Sequence, residues 1–174
     1  MYPMDRVLAV PQKEIMMNYW GQKKENRTHA WALTEVLKIK ARDEIVRAAE
    51  QTKLYGEQDV VPDVQPVEGV YTEIATVRMT TVDAAFEEAK VGRDTRICLL
   101  NFASYKDPGG MFMQGYMAQE ESLCHASVLY LVLASGRVMG MFYNKHGKML
   151  NRALYHSDLL YSPDVLFFLQ SEKK

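Results

Sequence analysis

The chain has 174 residues, 48% of them hydrophobic and 25% charged, with a net charge of −1 and a pI near 6.4. These values describe an ordinary soluble chain long enough for a real core, and they supply no electrostatic grip on nucleic acid. No apolar run approaches the ~18 residues that span a bilayer, and Met1-Tyr-Pro-Met-Asp-Arg6 lacks the charged-then-apolar order of a signal peptide.

Residues 1–11 are short and Pro-bounded and read as an arm. From Gln12 to Gly56 the pattern is helical, with Trp31, Leu33, Val36, Leu37, Ile39, Ile45, Val46 and Ala49 at imperfect 3.6-residue spacing. Thr28 is a candidate cap, and Tyr55-Gly56 a candidate stop. Residues 57–70 hold Pro62, Pro66 and the Glu68-Gly69 turn signal, without periodicity, and read as a loop.

Residues 73–80 alternate as a strand does. Thr81–Lys90 reads as a short amphipathic helix capped by Thr80 or Thr81. Residues 96–102 are a continuous apolar run, suited to a strand buried on both faces. A glycine loop follows, then a helix from Gln119 to Ser135 closed by Gly136. Its apolar residues spread around most of its circumference, which places it between layers. Ala153–Tyr161 and Val165–Gln170 read as strands split by Ser162-Pro163-Asp164. This order predicts an α/β fold with residues 73–80, 96–102 and 153–170 in one mixed sheet.

The two cysteines, Cys98 and Cys124, fall in a strand pattern and a helical pattern. They are too few and too far apart for a metal site and read as reduced core residues of a cytoplasmic protein. The 11 methionines read as core filler. The expected metal and cofactor are none.

The chemistry gathers around the glycine loop. Asn101 stands near a strand end, where α/β sheets place ligands, and can both donate and accept hydrogen bonds, as a sugar diol requires. Pro108 stiffens the turn, and Gly109 and Gly110 permit a backbone other residues resist. Eight residues after Met111, Gln119-Glu120-Glu121 opens a helix. A helix start favours glutamates for purely structural reasons. The spacing from the glycine turn back to that start would nevertheless let both line one pocket. His125 beside Cys124 is no nucleophile pair, because adjacent helical residues point about 100° apart. His29, His146 and His156 read as isolated, and residues 143–148 as a solvated basic turn.

Asn101-Phe-Ala-Ser, Pro108-Gly-Gly, Ala118-Gln-Glu-Glu-Ser-Leu-Cys124, Ser127-Val-Leu-Tyr130 and Tyr161-Ser-Pro-Asp-Val165 together resemble microbial-type poly(ADP-ribose) glycohydrolase. The resemblance runs in order from about Arg27 to Phe168. It implies a macrodomain-like mixed sheet flanked by helices, with residues 1–70 as a helical accessory region and 71–174 as the N-terminal portion of the catalytic domain. It implies cleavage of the ribose–ribose bond of poly(ADP-ribose), with ADP-ribose or the polymer, free or on modified proteins, as partner. Glu121 falls on the family's catalytic acid–base glutamate and Glu120 on the one that holds the ribose hydroxyls. Asn101, Gly109, Gly110, Met111 and Gln119 fall on substrate-binding positions.

Two departures shape the expectations. Met111 stands where the family has a third glycine, and Met resists positive φ. The family's later Gly-rich diphosphate loop and covering aromatic have no counterpart after Val165. An open sheet edge is therefore expected, either covered by another chain or left by a split or shortened gene, and the alternative to an enzyme is an inactive or weakly ADP-ribose-binding remnant.

Overall fold

The computed structural model describes residues 12–56, 58–59, 63, 65, 67–91, 96–148 and 157–168. The expected N-terminal arm, parts of the loop at 57–70, and residues 153–156 of the expected strand 153–161, His156 among them, lie outside them. The described residues form a helix-rich α/β arrangement with one small two-stranded sheet.

Helix α1 runs from Gln12 to Lys40 and α2 from Arg42 to Gln51. Thr28 is not a cap: it lies inside α1, and its hydroxyl donates back to the Lys24 carbonyl at 3.1 Å. The buried stripe is not the large-residue stripe. Trp31, Val36 and Ile39 are exposed, whereas Ala30, Thr34, Ala41, Ala48 and Ala49 are buried. Small side chains let α1 and α2 press close, with Ala41, Ala48 and Ala49 packing against Val128 and Val132. Arg137 closes the end of α2 by donating to the Ala49 and Thr52 carbonyls, at 3.3 and 3.1 Å.

Thr52 ends α2, and strand β1, Lys53–Tyr55, follows where a helical turn was expected. It pairs antiparallel with β2, Leu159–Tyr161, through Lys53↔Tyr161, Leu54↔Leu160 and Tyr55↔Leu159. Only the end of the expected strand 153–161 is thus a described strand. Of the expected strand 165–170, the described residues 165–168 carry one isolated bridge, Ser127↔Phe167.

Residues 73–80 and 96–102 form no strand, which corrects the expectation of one mixed sheet. An extended apolar segment is not held by composition alone; it needs a ladder partner. Among the described residues neither segment has one, and Ile74, Leu100 and Phe102 stay exposed. Cys98 is exposed with them, whereas Cys124 is buried as expected. Helix α3, Thr81–Val91, forms where read, with the Thr80 hydroxyl accepting from the Asp83 N–H at 3.1 Å.

The expected helix 119–135 is broken in two: α4, Gln119–His125, and α5, Leu129–Leu133. The break lets Ala126 and Val128 pair with Phe168 and Leu166, both at 3.0 Å. Ser127 restarts the helix, accepting from the Leu129 N–H at 3.1 Å. A single turn, α6 (Gly136–Val138), then leads through a π-helical stretch at Met139–Tyr143 into α7, Asn144–Lys148. The expected basic turn at 143–148 is therefore helical. Its His146 is not isolated either: it is buried, and its Nε2 lies 3.1 Å from Asp158. Phe112, Leu123, Cys124, Leu133, Val138 and Tyr143 form the core beneath the glycine turn. No described helix is long and apolar enough to cross a membrane.

Candidate active site

The site is built on the first turn of α4 and the loop 101–111 that lies over it. Glu120 and Glu121 are 3% and 6% exposed, so two adjacent carboxylates are taken from water and must find donors. Each finds two. Glu120 accepts from the Ser104 N–H at 2.8 Å and from Asn101 Nδ2 at 3.3 Å. Glu121 accepts from the Met111 N–H at 2.9 Å and reaches back to the Ala118 N–H at 3.1 Å, the acidic half of a capping box. Burial raises the Glu120 pKa above the ordinary carboxylate value, and the neighbouring Glu121 adds to this against the lowering bonds from Ser104 and Asn101.

The glycine turn is shaped by these carboxylates. Gly109 and Gly110 have φ of +69° and +59°. A Cβ on Gly110 would lie 2.5 Å from Glu121 Oε1 and 3.1 Å from Glu120 Oε2. On Gly109 it would meet Tyr130 at 2.9 Å and Cys124 Sγ at 3.0 Å. Met111 sits at φ −104°, so the third position of the turn asks no positive φ of it and its side chain stands 44% exposed. Gly115 (φ +82°) closes the following 3-10 turn against α1, where a Cβ would strike the Lys23 carbonyl oxygen.

The residues singled out in the sequence thus meet in one place. Gln119 does so in a way its type did not reveal. Its Oε1 accepts from the Phe102 N–H at 2.9 Å and its Nε2 donates to the Leu100 carbonyl at 2.8 Å. One side-chain amide imitates the strand partner that 100–102 lacks among the described residues, and so fixes Asn101 above Glu120. Ser104 contributes through its backbone N–H, a donor that residue type cannot announce. Tyr143 was also missed. Its ring is 2% exposed, and its hydroxyl has no hydrogen-bond partner among the described residues. Burial first, and Glu120 next, raise its pKa. The Asn101 Oδ1 is likewise buried without a described partner. Among the described residues no group of three or more His, Cys, Asp or Glu side chains is placed to hold a metal ion.

A glycine turn folded onto two buried, backbone-anchored glutamates defines a carboxylate-pair site at the edge of an α/β domain. The chain belongs to the microbial-type poly(ADP-ribose) glycohydrolase family: the model described as "Microbial-type PARG, catalytic domain" matches residues 26–170. The crystal structure of poly(ADP-ribose) glycohydrolase from Thermomonospora curvata is similar, with 30% identity and a TM-score of 0.68 over 84% of this chain and 57% of that one. The same enzyme bound to the inhibitor ADP-HPD matches with 30% identity and a TM-score of 0.67, over 84% and 56%. The chain therefore spans just over half the length of the solved relatives it matches. No curated protein matches it.

Proposed function

We propose that the protein hydrolyses the ribose–ribose O-glycosidic bond of poly(ADP-ribose) and releases ADP-ribose. One observation carries this reading: the Glu120 and Glu121 carboxylates converge on Gly110, 3.1 and 2.5 Å from where its Cβ would be. That leaves a side-chain-free surface beside two carboxyl groups, where a sugar ring can approach.

Glu121, in its protonated form, gives its proton to the oxygen leaving the ribose anomeric carbon as the C–O bond breaks. The oxocarbenium-like centre is then attacked by water, whose proton returns to Glu121. The Met111 and Ala118 N–H groups hold the carboxylate formed between these steps. Glu120 holds the ribose hydroxyls, and Asn101 fixes Glu120. In this reading residues 71–174 carry the chemistry as part of a macrodomain-like fold in the cytoplasm. Residues 1–70 are an accessory layer, supported by the packing of α1 on the loop after the glycine turn. There Asn26 Nδ2 donates to the Gly115 carbonyl at 3.4 Å, and Lys23 lies over the Tyr116 ring.

A second reading, a weak ADP-ribose binder without turnover, is favoured by one feature: all four glutamate oxygens already accept protein hydrogen bonds. Purified protein incubated with polymer decides between them. Release of ADP-ribose, lost by roughly 10²–10⁴-fold in Glu121→Gln, supports the enzyme. Calorimetric binding of ADP-ribose with no release supports the binder, and equal release by parent and Glu121→Gln removes Glu121 from the mechanism.

A further inference from the structure

We propose that His29 and His125 form a positioning pair that ties α1 to the glutamate helix through one shared proton. The proposal rests on the glycohydrolase reading for its activity readout only.

His125 is the last residue of α4, one helical turn after Glu121 and so on the same face. It is 5% exposed, and its Nδ1 lies 3.0 Å from the Nδ1 of His29 on α1. The two rings meet edge to edge, with centroids 5.2 Å apart and planes at 28°. Phe112, just past the glycine turn, sets its ring edge-to-face on His125 at 4.7 Å.

A ring nitrogen either carries a proton or presents a lone pair. Two Nδ1 atoms at hydrogen-bond distance must therefore divide one proton between them. One ring donates from Nδ1 and the other accepts there, so two neutral rings hold opposite tautomers. Two imidazolium rings would point N–H at N–H. Burial and the neighbouring His29 depress the His125 pKa to about 4, against the raising influence of Glu121. His125 is thus kept neutral near pH 7, as the shared bond needs.

The pair matters because α4 has only seven residues. So short a helix has few backbone bonds of its own, and its orientation is set by what its ends touch. The Glu121–Met111 and Glu120–Ser104 bonds tie its start to the loop 101–111, the Ala126–Phe168 bond holds the backbone just past its end, and the His125–His29 bond ties that end to α1. Without the tie to α1, α4 can rock between the loop at its start and the Phe168 bond past its end. Glu121 then moves relative to Gly110, and small misplacements of a reacting group cost rate out of proportion to their size.

Two variants separate the bond from the packing. His125→Asn puts an amide atom where Nδ1 was and keeps a hydrogen bond to His29. His125→Phe keeps the ring and its apolar contacts but removes the bond. Long-range ¹H–¹⁵N spectra of the parent near pH 7 should show His29 and His125 as opposite tautomers. The Met111 amide ¹H–¹⁵N signal, which reports its bond to Glu121, should move in His125→Phe and stay in place in His125→Asn. With polymer, His125→Phe should lose roughly 10–100-fold in kcat with KM nearly unchanged, and His125→Asn should recover most of it. Identical tautomers, or an unmoved Met111 amide signal in a folded His125→Phe, would overturn the proposal. Both spectra are read without substrate, so a protein that releases no ADP-ribose fails the functional reading and leaves the pair decided by its own signals.

Discussion

Gly110→Ala tests whether the carboxylates, rather than backbone strain alone, reserve that position for glycine. The new methyl would sit 2.5 Å from Glu121 Oε1. A carboxylate at the end of a flexible side chain can swing away, so the clash itself is cheap. The movement breaks the 2.9 Å bond from the Met111 N–H, however, and a hydrogen bond to a charged group contributes about 1.5–3 kcal/mol. Positive φ on a residue with a Cβ adds about 1–2 kcal/mol, for a total of roughly 2.5–5 kcal/mol. Gly69 supplies the control: its φ is +79° and a Cβ there meets nothing within 4 Å. Gly69→Ala should therefore cost the strain alone. Thermal unfolding of both variants should show Gly110→Ala lower by roughly 3–12 °C, taking about 2–4 °C per kcal/mol for a chain of this size. Equal losses in the two variants would refute the account, because only strain would then be at work.

Gln119→Leu removes both bonds to the 100–102 backbone, and exposed neutral bonds of this kind contribute about 0.5–1.5 kcal/mol each. Amide exchange at Phe102 should quicken markedly, and unchanged protection there would show that the amide is not what holds the segment. Acidification tests the His125 environment. A folded pKa depressed from 6.5 to about 4 contributes stability that is present above pH 6.5 and is lost as pH falls toward 4. At ~1.36 kcal/mol per unit the loss amounts to roughly 3 kcal/mol at most. Glu120, whose pKa is raised, slopes the other way: its contribution is full below the ordinary carboxylate pKa and declines as pH rises. Comparing urea unfolding of the parent and His125→Asn at pH 7 and pH 4.5 isolates the histidine, and parallel losses in the two proteins would sink this reading.

The sequence announced its helices and its site residues better than its strands. Period-3.6 spacing located α1 and α2 and, with Thr80, the start of α3. It misidentified the buried stripe, because alanines at close helix crossings carry little hydropathy but permit the closest approach. The helix 119–135 was legible as helical, yet its break was not, because pairing of Ala126 and Val128 with residues some 40 positions away leaves no local signal. The runs 73–80 and 96–102 carried strand composition, but pairing is decided by partners and not by composition. At the site, residue type and spacing pointed to Asn101, Gly109, Gly110, Glu120 and Glu121. Ser104, Tyr143 and the His29 contact depend on backbone donors or on distant elements, and nothing in a linear reading joins residues 29 and 125.

Gly115 has a different kind of consequence. Its missing Cβ is demanded by the Lys23 carbonyl oxygen and the Arg27 N–H of α1, not by either glutamate. In a library carrying every amino acid at every loop position, 110 and 115 should be equally intolerant. A map that equates intolerance with ligand contact would extend the binding surface five residues too far. The two positions part company in how they fail: changes at 115 pry the loop from α1 and lose abundance alone, whereas changes at 110 displace a carboxylate and lose ligand response beyond their loss of stability. Scoring the library for abundance and for ligand response separately would therefore redraw the boundary of the site between Met111 and Gly115.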